Sequence, residues 1–173
     1  MPAPVTRYRI EALGKRHDCT AFDRGSAALD RYLHQQARHD AEKSVAAPFV
    51  LTTPPALRVL GYYTLSASLV NAGELPDTLA RKLPRCPQLP VTLLGRLAAD
   101  QSTKGRGIGQ FLPMDALRRD SGAAASIAAM AVVVDAKDDA AEAFYRQFSF
   151  LPLHQQPRRL FLPMKTVAGL FDV

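Results

Sequence analysis

Residues 91–112, V-T-L-L-G-R-L-A-A-D-Q-S-T-K-G-R-G-I-G-Q-F-L, constrain the fold more than any other stretch of the chain. The apolar run from Val91 to Ala99 reads as a central strand, and Ile108 to about Ser121 as a helix interrupted by Pro113. Between them three glycines alternate with cations and an isoleucine. A strand that turns through glycines into a helix N-terminus is a ready anion site, because unpaired N–H groups and the positive dipole end converge there. A loop so bare of side chains lets the backbone approach a ligand closely, and Lys104 and Arg106 mark that ligand as negative. The dinucleotide fingerprint G-x-G-x-x-G fails, because Gln110 stands where the third glycine belongs. The Walker A pattern fails too, since no G-K-[ST] closes the loop. What remains is basic-x-x-G-x-G, starting at Lys104.

The rest of the chain organises around that unit. Residues 22–43 predict a helix from about Ser26, an N-cap type, with Leu29, Leu33 and Ala37 facing the core. Arg31, Arg38 and Lys43 fall off that stripe, toward solvent. P-F-V-L-T-T and residues 58–70 predict two strands separated by Pro54-Pro55. Pro76, Pro84, Pro87 and Pro90 break residues 71–90 into a loop with at most a short helix near 76–82. Residues 128–136 read as a buried strand, 138–148 as a short helix and 158–164 as a final strand. The order implies an α/β or α+β fold, and the absence of a repeat or linker implies one domain over 1–173.

Composition narrows the function classes only slightly. No apolar run approaches the roughly 20 residues that span a bilayer. The N-terminus lacks an apolar signal core, so a cytoplasmic location with no membrane partner is expected. Cys19 and Cys86 are too few for a disulfide framework. The four histidines make no metal-ligand spacing, so no metal is expected. The formal charge of +6 is compatible with a polyanionic partner and equally with a solubilising surface.

Basic-x-x-G-x-G between a strand and a helix resembles the coenzyme A pyrophosphate loop of GNAT-type N-acetyltransferases. Residues 132–150, V-V-V-D-A-K-D-D-A-A-E-A-F-Y-R-Q-F-S-F, resemble that family's second signature, a strand followed by a helix with an aromatic hydroxyl. With F-D-R-G-S-A-A-L-D-R-Y-L, V-L-G-Y-Y-T-L-S-A, L-P-V-T-L-L-G-R-L-A-A-D and P-R-R-L-F-L-P-M, the resemblance covers nearly the whole chain and sharpens to GNAT toxins of bacterial type II toxin–antitoxin modules. Lys104 in place of Gln or Arg, Pro113 within the helix, and Ser149 in place of a glycine depart from the pattern.

The resemblance implies a mixed, mostly antiparallel sheet of about six to seven strands flanked by helices and splayed at an acetyl-CoA site. It implies acetylation of the α-amine of aminoacyl-tRNA from acetyl-CoA, blocking translation. A homodimer, and a ribbon-helix-helix antitoxin that neutralises and co-represses, are also implied. The alternative within the class is a small-molecule amine or protein N-terminus as acceptor.

By the same resemblance, amides from Gly105 through Arg106, Gly107, Ile108 and Gly109 to Gln110 cradle the diphosphate, with charge from Lys104. Leu97, Ala98 and Ala99 offer backbone groups to the pantetheine arm by strand addition, pack in the core, or do both. Asp138 either faces that arm or caps the following helix. Tyr145 is the expected acid: a phenol can protonate the leaving thiolate, whereas the same ring merely packs in a structural role. Arg96, on the opposite strand face from Leu97, is expected to point toward substrate or antitoxin, and Arg38 and Lys43 are further tRNA candidates.

Overall fold

The computed structural model describes residues 7–83, 87–154 and 156–171; Pro84 and Cys86 lie outside them. Seven strands, β1 (Arg9–Ala12), β2 (Ala47–Thr52), β3 (Gly61–Asn71), β4 (Gln88–Ala99), β5 (Ala131–Asp135), β6 (Leu151–Leu153) and β7 (Gln156–Pro163), hydrogen-bond in the order β1-β2-β3-β4-β5-β7-β6. The pairs β1–β2, β2–β3, β5–β7 and β6–β7 are antiparallel, whereas β4–β5 is parallel. The sheet is therefore mixed and mostly antiparallel.

The chain divides into two compact units, the first holding residues up to Leu65 together with Arg96–Ala116. Its helical layer is α1 (Ala27–Arg31), a π-helical turn (Tyr32–Gln36) and α2 (Ala37–Glu42). Tyr32, Leu33 and Ala37 are buried with Cys19, Phe22, Val50, Val59, Tyr62 and Ala98, and Leu29 packs at their margin. The expected stripe is thus the core face, widened by the π turn to include Tyr32. Ser26 holds the extended N-cap conformation, but its side chain makes no capping bond. Arg31 and Lys43 are exposed. Arg38, expected in solvent, is half-buried, because its guanidinium donates to the carbonyls of Gly14 and His17. The helix α4 (Ile108–Ala123) begins in this unit and continues through Pro113. Gly61 in β3 sits in a tight space: a Cβ there would lie 3.0 Å from the Leu112 side chain, which would have to shift, and 3.4 Å from the Ala98 carbonyl.

The second unit holds Ser66–Gly95 and the residues from Leu117 onward. Its core gathers Val70, Leu75, Leu89, Val91, Ala131, Val133, Leu153 and Phe161. Ala131–Val134 of β5 are all buried, as a run apolar on both faces requires. The helices are α3 (Asp77–Ala80), α5 (Asp139–Arg146) and α6 (Met164–Phe171). Four elements differ from expectation. β4 starts at Gln88 rather than Val91, since Pro90 lacks a donor yet its carbonyl still accepts the Met130 N–H at 2.9 Å. The short strands β1 and β6 are too brief to carry a legible period. α6 follows β7 directly, without a residue that signals a helix start.

Candidate active site

In the first unit, the loop after β4 is built on Asp100. Its buried carboxylate accepts the Ser102 N–H at 2.9 Å, capping the 3₁₀ turn Gln101–Thr103, and the Asp23 N–H at 2.9 Å. Thr103, also buried, donates its hydroxyl to the Asp100 carbonyl at 2.6 Å. Burial alone would raise the Asp100 pKa, but the Asp23 and Ser102 donors and the Arg58 guanidinium outweigh it and hold the carboxyl below its usual range. Beyond this anchor the backbone turns left-handed at Gly105 (φ +81°) and Gly107 (φ +76°), a region that residues with a Cβ enter at a cost.

The amides of that turn divide into two groups. Arg106 N–H donates to Thr103 and Gln110 N–H to Gly107. The N–H groups of Gly105, Gly107, Ile108 and Gly109 donate to none of the described residues. Four orphan donors at a helix start, where the dipole is positive, form a nest for an anion. Ile108 anchors the turn through a buried side chain, whereas Lys104 and Arg106 are exposed and form no ion pair with described residues. Space above the glycines is open: a Cβ at Gly105, Gly107 or Gly109 would meet no atom within 4 Å.

Upstream, the register of β4 with β5 runs from Thr92 to Leu94, while β4 itself continues to Ala99. Ala98 is buried in the Tyr62 cluster, and Leu97 and Ala99, on the other face, are half-buried. Arg96 shares the Ala98 face, where its guanidinium carbon sits 3.7 Å from the centroid of the Tyr32 ring. The Tyr32 hydroxyl donates to Asp40 at 2.9 Å, and Gln36 donates to the other Asp40 oxygen at 2.8 Å. Burial, then the Asp40 hydrogen bond, push the Tyr32 phenol up to about 12. Lys43, at the end of α2, is exposed.

In the second unit, α5 carries Tyr145. Asp138 opens that helix by accepting the Ala141 N–H at 2.8 Å, the capping role of its two sequence readings. Tyr145 is buried edge-on to Phe144 (5.3 Å) and Phe150 (5.6 Å), and its hydroxyl bonds to none of the described residues. Desolvation pushes its pKa up to about 12, so the phenol stays protonated, a donor, throughout the physiological range. Ser149 ends this helix at φ +73°, the left-handed geometry expected of the glycine it replaces.

Among the described residues no group of three or more His, Cys, Asp or Glu is arranged to hold a metal ion. No described helix is long and apolar enough to cross a membrane. The sequence reading overlooked Asp100, Tyr32 and Asp40. A D-x-S step directly after a strand is a legible turn signal for the first; the other two gain their roles only through contacts made in the fold.

A mixed, mostly antiparallel sheet with a glycine nest between strand and helix is the arrangement that the resemblance to GNAT-type acyltransferases implies. No family model matches the chain. It is 37% identical over 153 residues to a tRNA-acetylating toxin of Mycobacterium tuberculosis, covering 88% of this chain and 90% of that one. The structure of AtaT complexed with acetyl-methionyl-tRNAfMet superposes with a TM-score of 0.89 at 30% identity, covering 96% of this chain and all of that one (100%). An AtaT mutant bound to the C-terminus of the antitoxin AtaR and acetyl-CoA superposes at 0.81 with 28% identity, covering 96% and 99%. The chain belongs to the GNAT-type tRNA-acetylating toxins of bacterial toxin–antitoxin modules.

Proposed function

We propose that this chain transfers the acetyl group of acetyl-CoA to the α-amine of aminoacyl-tRNA, so that charged tRNA is blocked for translation. The observation that carries the reading is the set of four amides at Gly105, Gly107, Ile108 and Gly109 that have no partner among the described residues and so supply donors for a diphosphate. Lys104 and Arg106 add charge there, and the β4 segment Leu97–Ala99 offers backbone groups to the amide-bearing pantetheine arm. Both compact units serve this one activity, as parts of a single domain over residues 1–173.

In the reaction the amine nitrogen bonds to the thioester carbonyl carbon, the C–S bond breaks, and the amine loses a proton while the thiolate gains one. Tyr145 is the donor toward that sulfur. A phenol near 12 facing a thiol of pKa about 8.5 makes full transfer uphill by about 5 kcal/mol, so Tyr145 acts first by hydrogen-bonding the charge as it develops. No dedicated base is needed on the amine side. An α-amine of pKa about 7.8 is roughly 10–15% neutral at pH 7, whereas a lysine amine near 10.4 is well below 0.1% neutral. This favours an aminoacyl-type acceptor over a lysine.

The relatives' complexes support the partners. AtaT binds acetyl-methionyl-tRNAfMet in one structure and acetyl-CoA with the C-terminus of its antitoxin AtaR in another, which supports acetyl-CoA as cosubstrate, charged tRNA as substrate and an antitoxin as partner of this chain. The cytoplasmic location, the homodimer and the ribbon-helix-helix type of that antitoxin rest on the family resemblance. The test is incubation of the purified chain with labelled acetyl-CoA and a pool of charged tRNAs. Label on the α-amines of charged tRNA, and not on free amino acids, is expected; label only on small amines or protein N-termini overturns the acceptor.

A further inference from the structure

Arg96 is exposed, yet it is not loose. Its guanidinium lies 3.7 Å from the centre of the Tyr32 ring, and its own backbone N–H donates to the hydroxyl of the buried Thr64 at 3.0 Å. The ring beneath it is fixed in turn. Tyr32 is 5% exposed, stacks on Tyr62 at 6.1 Å, and donates to the buried Asp40, whose other oxygen is held by Gln36. Tyr32 opens the π turn, and the helix on either side of it is ordinary α-helix. The guanidinium itself forms no hydrogen bond or ion pair with any described residue. A stacked guanidinium with its donor edge open is a planar fork waiting for a bidentate acceptor, and the fork matches phosphate.

We infer that Arg96 reads a backbone phosphate at the acceptor end of the substrate tRNA, and that Tyr32 and Asp40 are positioning residues that hold it flat for this purpose. The inference rests on the charged-tRNA reading above and deepens it. Arg96 lies on the same strand as Leu97–Ala99 and in the same compact unit as the amide nest. Phosphate is favoured over a carboxylate because the chain carries a surplus of six positive charges, and Asp40, the acid that feels the Arg96 charge, lies buried behind the Tyr32 ring and leaves the guanidinium fork open.

Steady-state kinetics of the full chain against charged tRNA and acetyl-CoA test it. Arg96→Gln, a surface change, should raise KM for charged tRNA at least tenfold, leave KM for acetyl-CoA within twofold, and lower the salt slope of tRNA affinity by about one. Arg96→Lys should recover only part of the loss, since it keeps charge without the fork. Tyr32→Phe keeps the ring but frees it from Asp40, and should raise KM for tRNA without changing that for acetyl-CoA. A parental KM for tRNA in Arg96→Gln, or a loss confined to antitoxin affinity, overturns the inference. Failure of the parent chain to acetylate any charged tRNA overturns both this and the function above.

Discussion

The carboxylate of Asp100 accepts the backbone N–H of Asp23 at 2.9 Å, linking two segments 77 residues apart while the same side chain caps the turn that leads into the amide nest. Asp100→Ala leaves both N–H groups without an acceptor and should cost about 3 kcal/mol in a denaturant titration. Because its folded pKa is depressed, its contribution is complete above the unfolded value near 3.9 and fades as pH falls through the folded one. Asp100→Asn should therefore flatten the acid limb of a melting-temperature profile below about pH 4.5, where the unfolded carboxyl begins to protonate.

Gly109 separates folding from binding. It is not left-handed, and a Cβ there meets nothing within 4 Å, so Gly109→Ala in the first helical turn should leave stability unchanged or raise it by up to about 1 kcal/mol. A diphosphate seated on the free amide would meet that methyl group. Calorimetry should show acetyl-CoA binding weakened at least tenfold in a protein that melts no lower than its parent.

Tyr145→Phe should lower turnover about 100-fold while acetyl-CoA affinity changes less than twofold, the signature of lost donation to a leaving group. Burial raises the phenol to about 12, so the donor form persists with rising pH. The pH–rate profile should show no basic limb attributable to Tyr145 below about pH 11, and its acid limb should follow the substrate amine.

Asp120 on α4 accepts the Thr92 hydroxyl at 2.7 Å through one oxygen, and its other oxygen is buried without a partner among the described residues. Burial raises its pKa, so protonation favours the fold: its cost is absent below the unfolded pKa and grows as pH rises through the folded one. Asp120→Asn should raise the melting temperature at pH 7, with the gain shrinking toward pH 4.

Ser149 occupies left-handed space at φ +73°, a conformation that costs a residue with a Cβ about 1–2 kcal/mol. Ser149→Gly relieves it at some expense in unfolded-chain entropy, and should raise the melting temperature by about 2–4 °C.

Elements whose signal is local were legible. The glycine turn needs left-handed backbone, β5 is buried on both faces, and Asp138 caps α5, each through residues adjacent in the chain. β1, β6 and α6 were not, because strands of 4 and 3 residues show no period and α6 lacks a start signal. The cations were least legible of all. Arg38 and Arg96 look alike as letters, yet one binds the carbonyls of Gly14 and His17 and the other lies open on an aromatic ring.

The amino-acid sequence by itself therefore determined the loop that offers amides to an anion, the helix bearing Tyr145 and the family resemblance, since backbone preference and side-chain chemistry act within a few residues. Only the tertiary structure decided which amides stay free of the described residues, how far burial raises the Tyr145 phenol, and which arginine stacks on an aromatic ring. Those properties arise from neighbours distant in the chain, and burial and stacking exist only once those neighbours meet.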